Sequence, residues 1–157
     1  MLQFIFMKEK LAKKLGELLA FSQVGHDLFE RTRENMLEVW PADELSLTTE
    51  ENLGFAEQIK ILTDKEKVSE ITLAKAERTK EKLMKMQELY LGTDTDPVEI
   101  LEWLSFFEGA AAAHASLVAG MAGEMKDVLD LAQEINAFHR KLSEKVSASL
   151  FEAGKKS

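Results

Sequence analysis

Between Ile100 and Val146, apolar or small residues recur at every third or fourth position: Ile100, Leu104, Phe107, Ala111, His114, Val118, Met121, Met125, Val128, Ala132, Ile135, His139, Leu142 and Val146. This is the period of an amphipathic helix, and it predicts one buried face along residues 98–151. A helix cannot cover its own stripe, so other segments must supply the opposing surface. Two segments qualify. Leu11, Leu15, Leu18, Ser22, Gly25, Phe29, Thr32, Met36 and Val39 predict a helix over 8–39. Phe55, Ile59, Leu62, Leu73, Ala76, Leu83 and Tyr90 predict another over 50–91, with a more polar row. The expected fold class is all-α: a long-helix antiparallel bundle of three long helices, in a single domain spanning residues 1–157.

Punctuation residues suggest where these helices begin and end. Pro41 cannot donate a backbone hydrogen bond and stops the first helix. Thr48 and Glu51 have the spacing of a capping box and predict the start of the second. Gly92 suits its C-terminal cap, and Asp96, Pro97 and Glu99 combine a cap residue, proline at the first helical position and an acid in the first turn. Ser22 and Gly25 leave the middle of the first helix narrow, which predicts a close helix crossing. From Gly109 to Gly123 nearly every residue is small. A break at Gly120 to Gly123 would make a four-helix bundle, but the unbroken stripe favours one helix, straight or kinked, because a turn normally inserts polar residues.

The helix over 98–151 would be about 80 Å long and the first only about 50 Å. A monomer would then leave part of the stripe bare, including Leu142, Val146 and Leu150. The predicted consequence is self-association, as a homodimer or larger assembly built by coiled-coil-like helix packing. The apolar lead Leu2, Phe4, Ile5 and Phe6 would begin the first helix or dock on the bundle or on a second subunit.

Composition narrows the function classes. The chain has no cysteine, so disulfide, CxxC redox and thiolate zinc chemistry are excluded, and a reducing, cytoplasmic setting is expected. A net charge of -8 repels a phosphate backbone. Lys75, Arg78, Lys82 and Lys85 align on one helix face, but acids flank them and no aromatic residue is placed to stack a base. No nucleic-acid partner is expected. No apolar run is long enough to span a membrane, and the basic residues follow the apolar lead, the reverse of a signal peptide.

Metal chemistry is the one reading with candidate residues. Helical bundles hold two metal ions through inward glutamates and Glu-x-x-His pairs. The residues three before His26, His114 and His139 are Gln23, Ala111 and Asn136, so the motif is absent. Glu66, Glu108, His114 and His139 remain as looser candidates on or beside the apolar rows. On a continuous helix His114 and His139 stand about 37 Å apart and cannot share an ion. Phosphate loops, GxSxG and HExxH motifs are also missing. The expected function is a non-enzymatic structural or protein-interaction module acting on itself or another protein, with no cofactor. The alternative is a metal- or small-ligand-binding bundle, ferritin-like in outline but without the Glu-x-x-His pairs.

Overall fold

The computed structural model describes residues 7–157, and five helices, not three or four, form the bundle: α1 (Glu9–Met36), α2 (Ala42–Lys65), α3 (Ser69–Tyr90), α4 (Pro97–Met121) and α5 (Lys126–Lys155). No strand occurs among the described residues. The helices expected over 50–91 and 98–151 are each two helices. The lead residues Leu2, Phe4, Ile5 and Phe6 lie outside the described residues.

The second of the three expected helices starts earlier than its capping signal and ends without one. Pro41, with φ -62° and ψ 147°, caps α2 rather than opening a long connection, and Asp43 and Glu44 occupy the first turn, where acids favour the helix dipole. Thr48 lies in mid-helix, its Oγ1 donating to the Glu44 carbonyl (2.9 Å). Within this first part of α2, Leu45 is buried and Leu47 exposed. The chain then breaks at Glu66 to Val68. Val68 N donates to Thr63 O (2.9 Å) and Lys67 N to Asp64 O (3.0 Å), the paired bonds of a Schellman cap. Its left-handed position, normally glycine, is Lys67 at φ 59°.

The long C-terminal stripe also folds back. Gly123 takes φ 57° and the turn Ala122 to Met125 reverses the chain, so α4 and α5 form an antiparallel hairpin. Each stripe residue from Ile100 to Val146 is still buried or half-buried, because both arms of the hairpin turn the same face to one core. Leu142 and Val146 are buried within the chain, and Leu150 packs beside them. This overturns the expectation that the stripe outruns its cover. The caps at Gly92 (φ 57°) and Asp96, whose Oδ1 accepts from Val98 N (3.0 Å), stand where they are expected.

Helix α1 is central, packed on α2, α3 and α4, while α5 packs on α4 and touches α2. The closest crossing is at Gly16, where an added Cβ would lie 2.5 Å from Thr72 O and 2.9 Å from Lys75 Cβ. Thr72 Oγ1 donates to the Ala12 carbonyl beside it (3.0 Å), fastening α3 to α1. Gly25 meets the Asn52 side chain, 3.1 Å from an added Cβ. At the α1–α2 corner Trp40 stacks on Phe29 (6.0 Å between centroids) and its Nε1 donates to Ser149 Oγ (2.8 Å). Lys145 lies over the Trp40 ring and pairs with Glu44; burial lowers its ammonium below the usual lysine range, against an opposing pull from Asp43.

Two stability outcomes are expected. Gly16→Ala should lose about 1 to 3 kcal/mol by overpacking against backbone, whereas Gly54→Ala, with nothing near its Cβ position, should gain up to about 1 kcal/mol from helix propensity. Lys67→Gly should stabilise by up to about 1 kcal/mol by relieving the left-handed backbone. Urea unfolding of the three variants reads both; a stabilised Gly16→Ala would mean that α3 does not lie against α1.

Candidate functional site

The apolar interior is two clusters. One joins the first half of α1 to the second half of α2, the end of α4 and the start of α5; the other joins the second half of α1 to Leu45, the start of α4 and the end of α5. A polar layer lies between them. Ring contacts Phe21–Phe107 (5.3 Å) and Phe55–Phe138 (5.2 Å) bring α1, α2, α4 and α5 to one level, and there the fully buried Ser22, Asn52, Glu108 and His139 occur, one per helix.

The α4–α5 hairpin sets Glu108 against His139, with Oε2 and Nδ1 2.5 Å apart. Next to them Asn136 Nδ2 donates to the Ala112 carbonyl (2.8 Å), the same register one turn on. A carboxylate accepting from Nδ1–H leaves Nε2 of the neutral ring as a lone pair, the way proteins commonly present an imidazole to a metal. His139 Nε2, Glu108 Oε1, Asn52 Oδ1 and Ser22 Oγ find no hydrogen-bond partner within the protein. At this level a groove of about 590 Å³ lies between α2 and α5, lined by Phe55 and Phe138.

The other two metal candidates lie elsewhere. His114 is six residues from Glu108, about 9 Å along α4. Its Nδ1 donates to the Ala110 carbonyl (2.8 Å) and its Nε2 lies 3.6 Å from Glu17 Oε2 on α1. Glu66 sits half-buried at the α2–α3 break, lining a hollow with Met125, Lys126 and Asp127. The structure therefore joins Glu108 with His139 and leaves Glu66 and His114 apart from them. Among the described residues, three imidazole or carboxylate groups come within 4.8 Å of one another only at His26, Asp27 and Glu30, on the outer surface of α1.

Sequence reasoning passed over Glu17, Asn52 and the His26 group. Glu17 is buried between Leu15 and Leu18 and gathers Lys14 (3.0 Å) and Lys75 (3.7 Å); an acid inside an apolar row was the signal. Lys75 is thereby turned inward, away from the basic ridge of Arg78, Lys82 and Lys85. Asn52 lies three residues before Phe55, on the buried row extended back to Leu45.

The outer face of α4 is the second unusual feature. Between Trp103 and Gly123 the only ionisable residues are the buried Glu108 and the half-buried His114. Phe106, Gly109, Ala113, Leu117 and Gly120 fall on one outward stripe; Phe106 is 55% and Leu117 47% exposed, and a Cβ at Gly109 or Gly120 would meet nothing within 4 Å. Tyr90 from α3 continues the stripe, its ring 5.0 Å from Phe106, with Met86 and Leu89 also exposed. At the N-terminal end of α4, Glu102 first, then desolvation, Asp94 and Asp96, push the Glu99 carboxyl above its ordinary range. The opposite end carries Lys8 and Lys10, which share a hollow with Met121, Gly123 and Glu124.

Comparison of the chain with protein-family models, with curated proteins and with solved structures finds no match. Neither is any helix long and apolar enough to cross a membrane among the described residues.

The buried pair has a measurable consequence. Glu108→Leu alone should cost about 3 to 5 kcal/mol by stranding His139, whereas Glu108→Leu combined with His139→Phe should recover most of that loss, since apolar replacements of a buried pair are often tolerated. Urea denaturation of both single variants and the double variant measures the coupling, and additive losses would show that the two groups do not interact.

Proposed function

We propose that the protein is a non-enzymatic helical interaction module that binds a second copy of itself through the outward face of α4. The observation that supports this reading is the charge-free stripe from Phe106 to Gly120, continued by Tyr90. Contiguous exposed apolar surface is uncommon on monomers and usually marks a contact. In a chain with 31% charged residues, four turns of exposed helix without a charge are a departure from the surrounding surface. The unequal-helix argument for a dimer no longer applies, since the hairpin covers Leu142 and Val146; the α4 face supplies a different one. A cytoplasmic setting belongs to this reading and rests on the cysteine-free sequence.

Light scattering coupled to size exclusion, at a few micromolar and again after tenfold dilution, tests it. The unmodified chain should show about twice its 17.7 kDa mass, and Leu117→Glu should return it to 17.7 kDa with its helical circular dichroism intact. A mass of 17.7 kDa for the unmodified chain at both concentrations ends the self-association reading.

A second reading, metal or small-ligand binding in the bundle centre, is supported by the lone pair of His139 Nε2 beside Glu108 Oε1. Elemental analysis of untagged protein tests it: about one equivalent of zinc, iron or manganese per chain, lost in His139→Phe, supports the reading, and a metal content below about 0.1 equivalent removes it.

A further inference from the structure

The outward stripe of α4 has a size pattern with a centre. Phe106 and Gly120 each lie seven residues from Ala113, and Gly109 and Leu117 each lie four. On a helix of 3.6 residues per turn these five positions fall within an arc of about 80°. Reversing the stripe about Ala113 places each large side chain opposite a glycine, Phe106 opposite Gly120 and Leu117 opposite Gly109, with Ala113 opposite itself at the centre. Large-opposite-small is the arrangement by which helices interdigitate, and small residues along the seam let the backbones approach.

We propose that two copies of this chain pack their α4 helices antiparallel across a two-fold axis at Ala113, with Phe106 and Leu117 of each copy filling the spaces over Gly120 and Gly109 of the other. The inference rests on the self-association reading above and adds its orientation and register. An isologous contact needs a surface that complements itself, and this stripe does. Charge supports the antiparallel sense. The N-terminal end of α4 carries Asp94, Asp96, Glu99 and Glu102, with Arg31 of α1 sharing a hollow with Asp94. The C-terminal end carries Lys8, Lys10 and Lys126, with Glu124 and Glu66 in the same hollows, while the nearby Asp127 is engaged by Lys65 (3.2 Å). Reversal brings the acidic end of one copy to the basic end of the other; parallel packing would set like ends together. Tyr90 flanks Phe106, with Met86 exposed one turn before it on α3, and widens the contact, which a single pair of helices would leave near the low end of stable interface sizes, at about 1,000 Å² in total.

The cysteine-free chain makes the register directly testable by single cysteines. Helices packed about 8 to 10 Å apart hold facing Cα atoms about 5 Å apart on the axis, within disulfide reach. Ala113→Cys should therefore form a disulfide dimer on mild oxidation, about tenfold or more faster than Ala148→Cys, an exposed control on α5. Gly109→Cys and Leu117→Cys should each stay monomeric in reducing-agent-free gels when oxidised alone, because their own copies lie about 12 Å apart along the seam. Mixed, they should cross-link to each other. If the unmodified chain is a dimer by mass but Ala113→Cys cross-links no faster than Ala148→Cys, or Gly109→Cys and Leu117→Cys each cross-link to themselves, this register is wrong while self-association stands. A monomeric unmodified chain overturns both. All three substituted seam positions are exposed or solvent-facing in the single chain, so folding is not at stake, and circular dichroism checks that it is retained.

Discussion

A single buried hydrogen bond, from His139 on α5 to Glu108 on α4, constrains the arrangement of the bundle more than any other contact. Both residues are fully buried between two apolar clusters, where neither could be accommodated alone. Antiparallel helices with long apolar faces can slide by a turn at little cost, because one leucine replaces another. A carboxylate and an imidazole that have only each other remove that freedom. The bond fixes the α4–α5 register, and Asn136 repeats the instruction one turn further by donating to the Ala112 carbonyl. The same level carries Ser22 and Asn52, so all four helices of the core contribute a polar group to the boundary between the clusters.

Around that core the fifth helix is attached by different means. Helix α3 buries Thr72, Ala76 and Leu83 and little else, and it approaches α1 closely enough that Gly16 can bear no side chain. Its hold is backbone proximity, the Thr72 to Ala12 hydrogen bond and the Lys75 to Glu17 ion pair, rather than a broad apolar face. The charged residues of α3 consequently remain at the surface, where they account for the weak apolar row of this part of the sequence.

Helix α4 is apolar on two sides. Its inner side meets α1 and α5; on its outer side Phe106 touches Tyr90 of α3, while the Cβ positions of Gly109 and Gly120 meet nothing within 4 Å. Fold stability requires only the first. The second is not required by the single chain, and its large-and-small alternation about Ala113 is the feature on which the proposed self-association rests. The Gly and Ala residues between Gly109 and Gly123 thus fall on two sides, with Ala111 and Ala115 allowing close packing inside and Gly109, Ala113 and Gly120 exposed on the outer stripe.

Legible in the sequence were the helical class, the buried faces of α1, α4 and α5, the caps at Gly92 and Asp96, and the close approach at Gly25, because periodicity and cap chemistry are local properties. The row expected over 50–91 was legible only in part, since its Leu73 and Tyr90 are exposed. Where the long stripes break was set by packing between helices. A stripe of period 3.6 reads the same through a hairpin as through a straight helix when both arms face one core, so the turn at Gly123 left the pattern intact. At Lys67 the signal was weaker still: the left-handed cap holds a lysine, and its backbone is set by the packing of α2 and α3 on α1. The pairing of Glu108 with His139 depended on that same fold-back, which turned a separation of 31 residues along the chain into 2.5 Å in space. Which side chains meet across helices is a property of register, and register is not written in the spacing of any one helix.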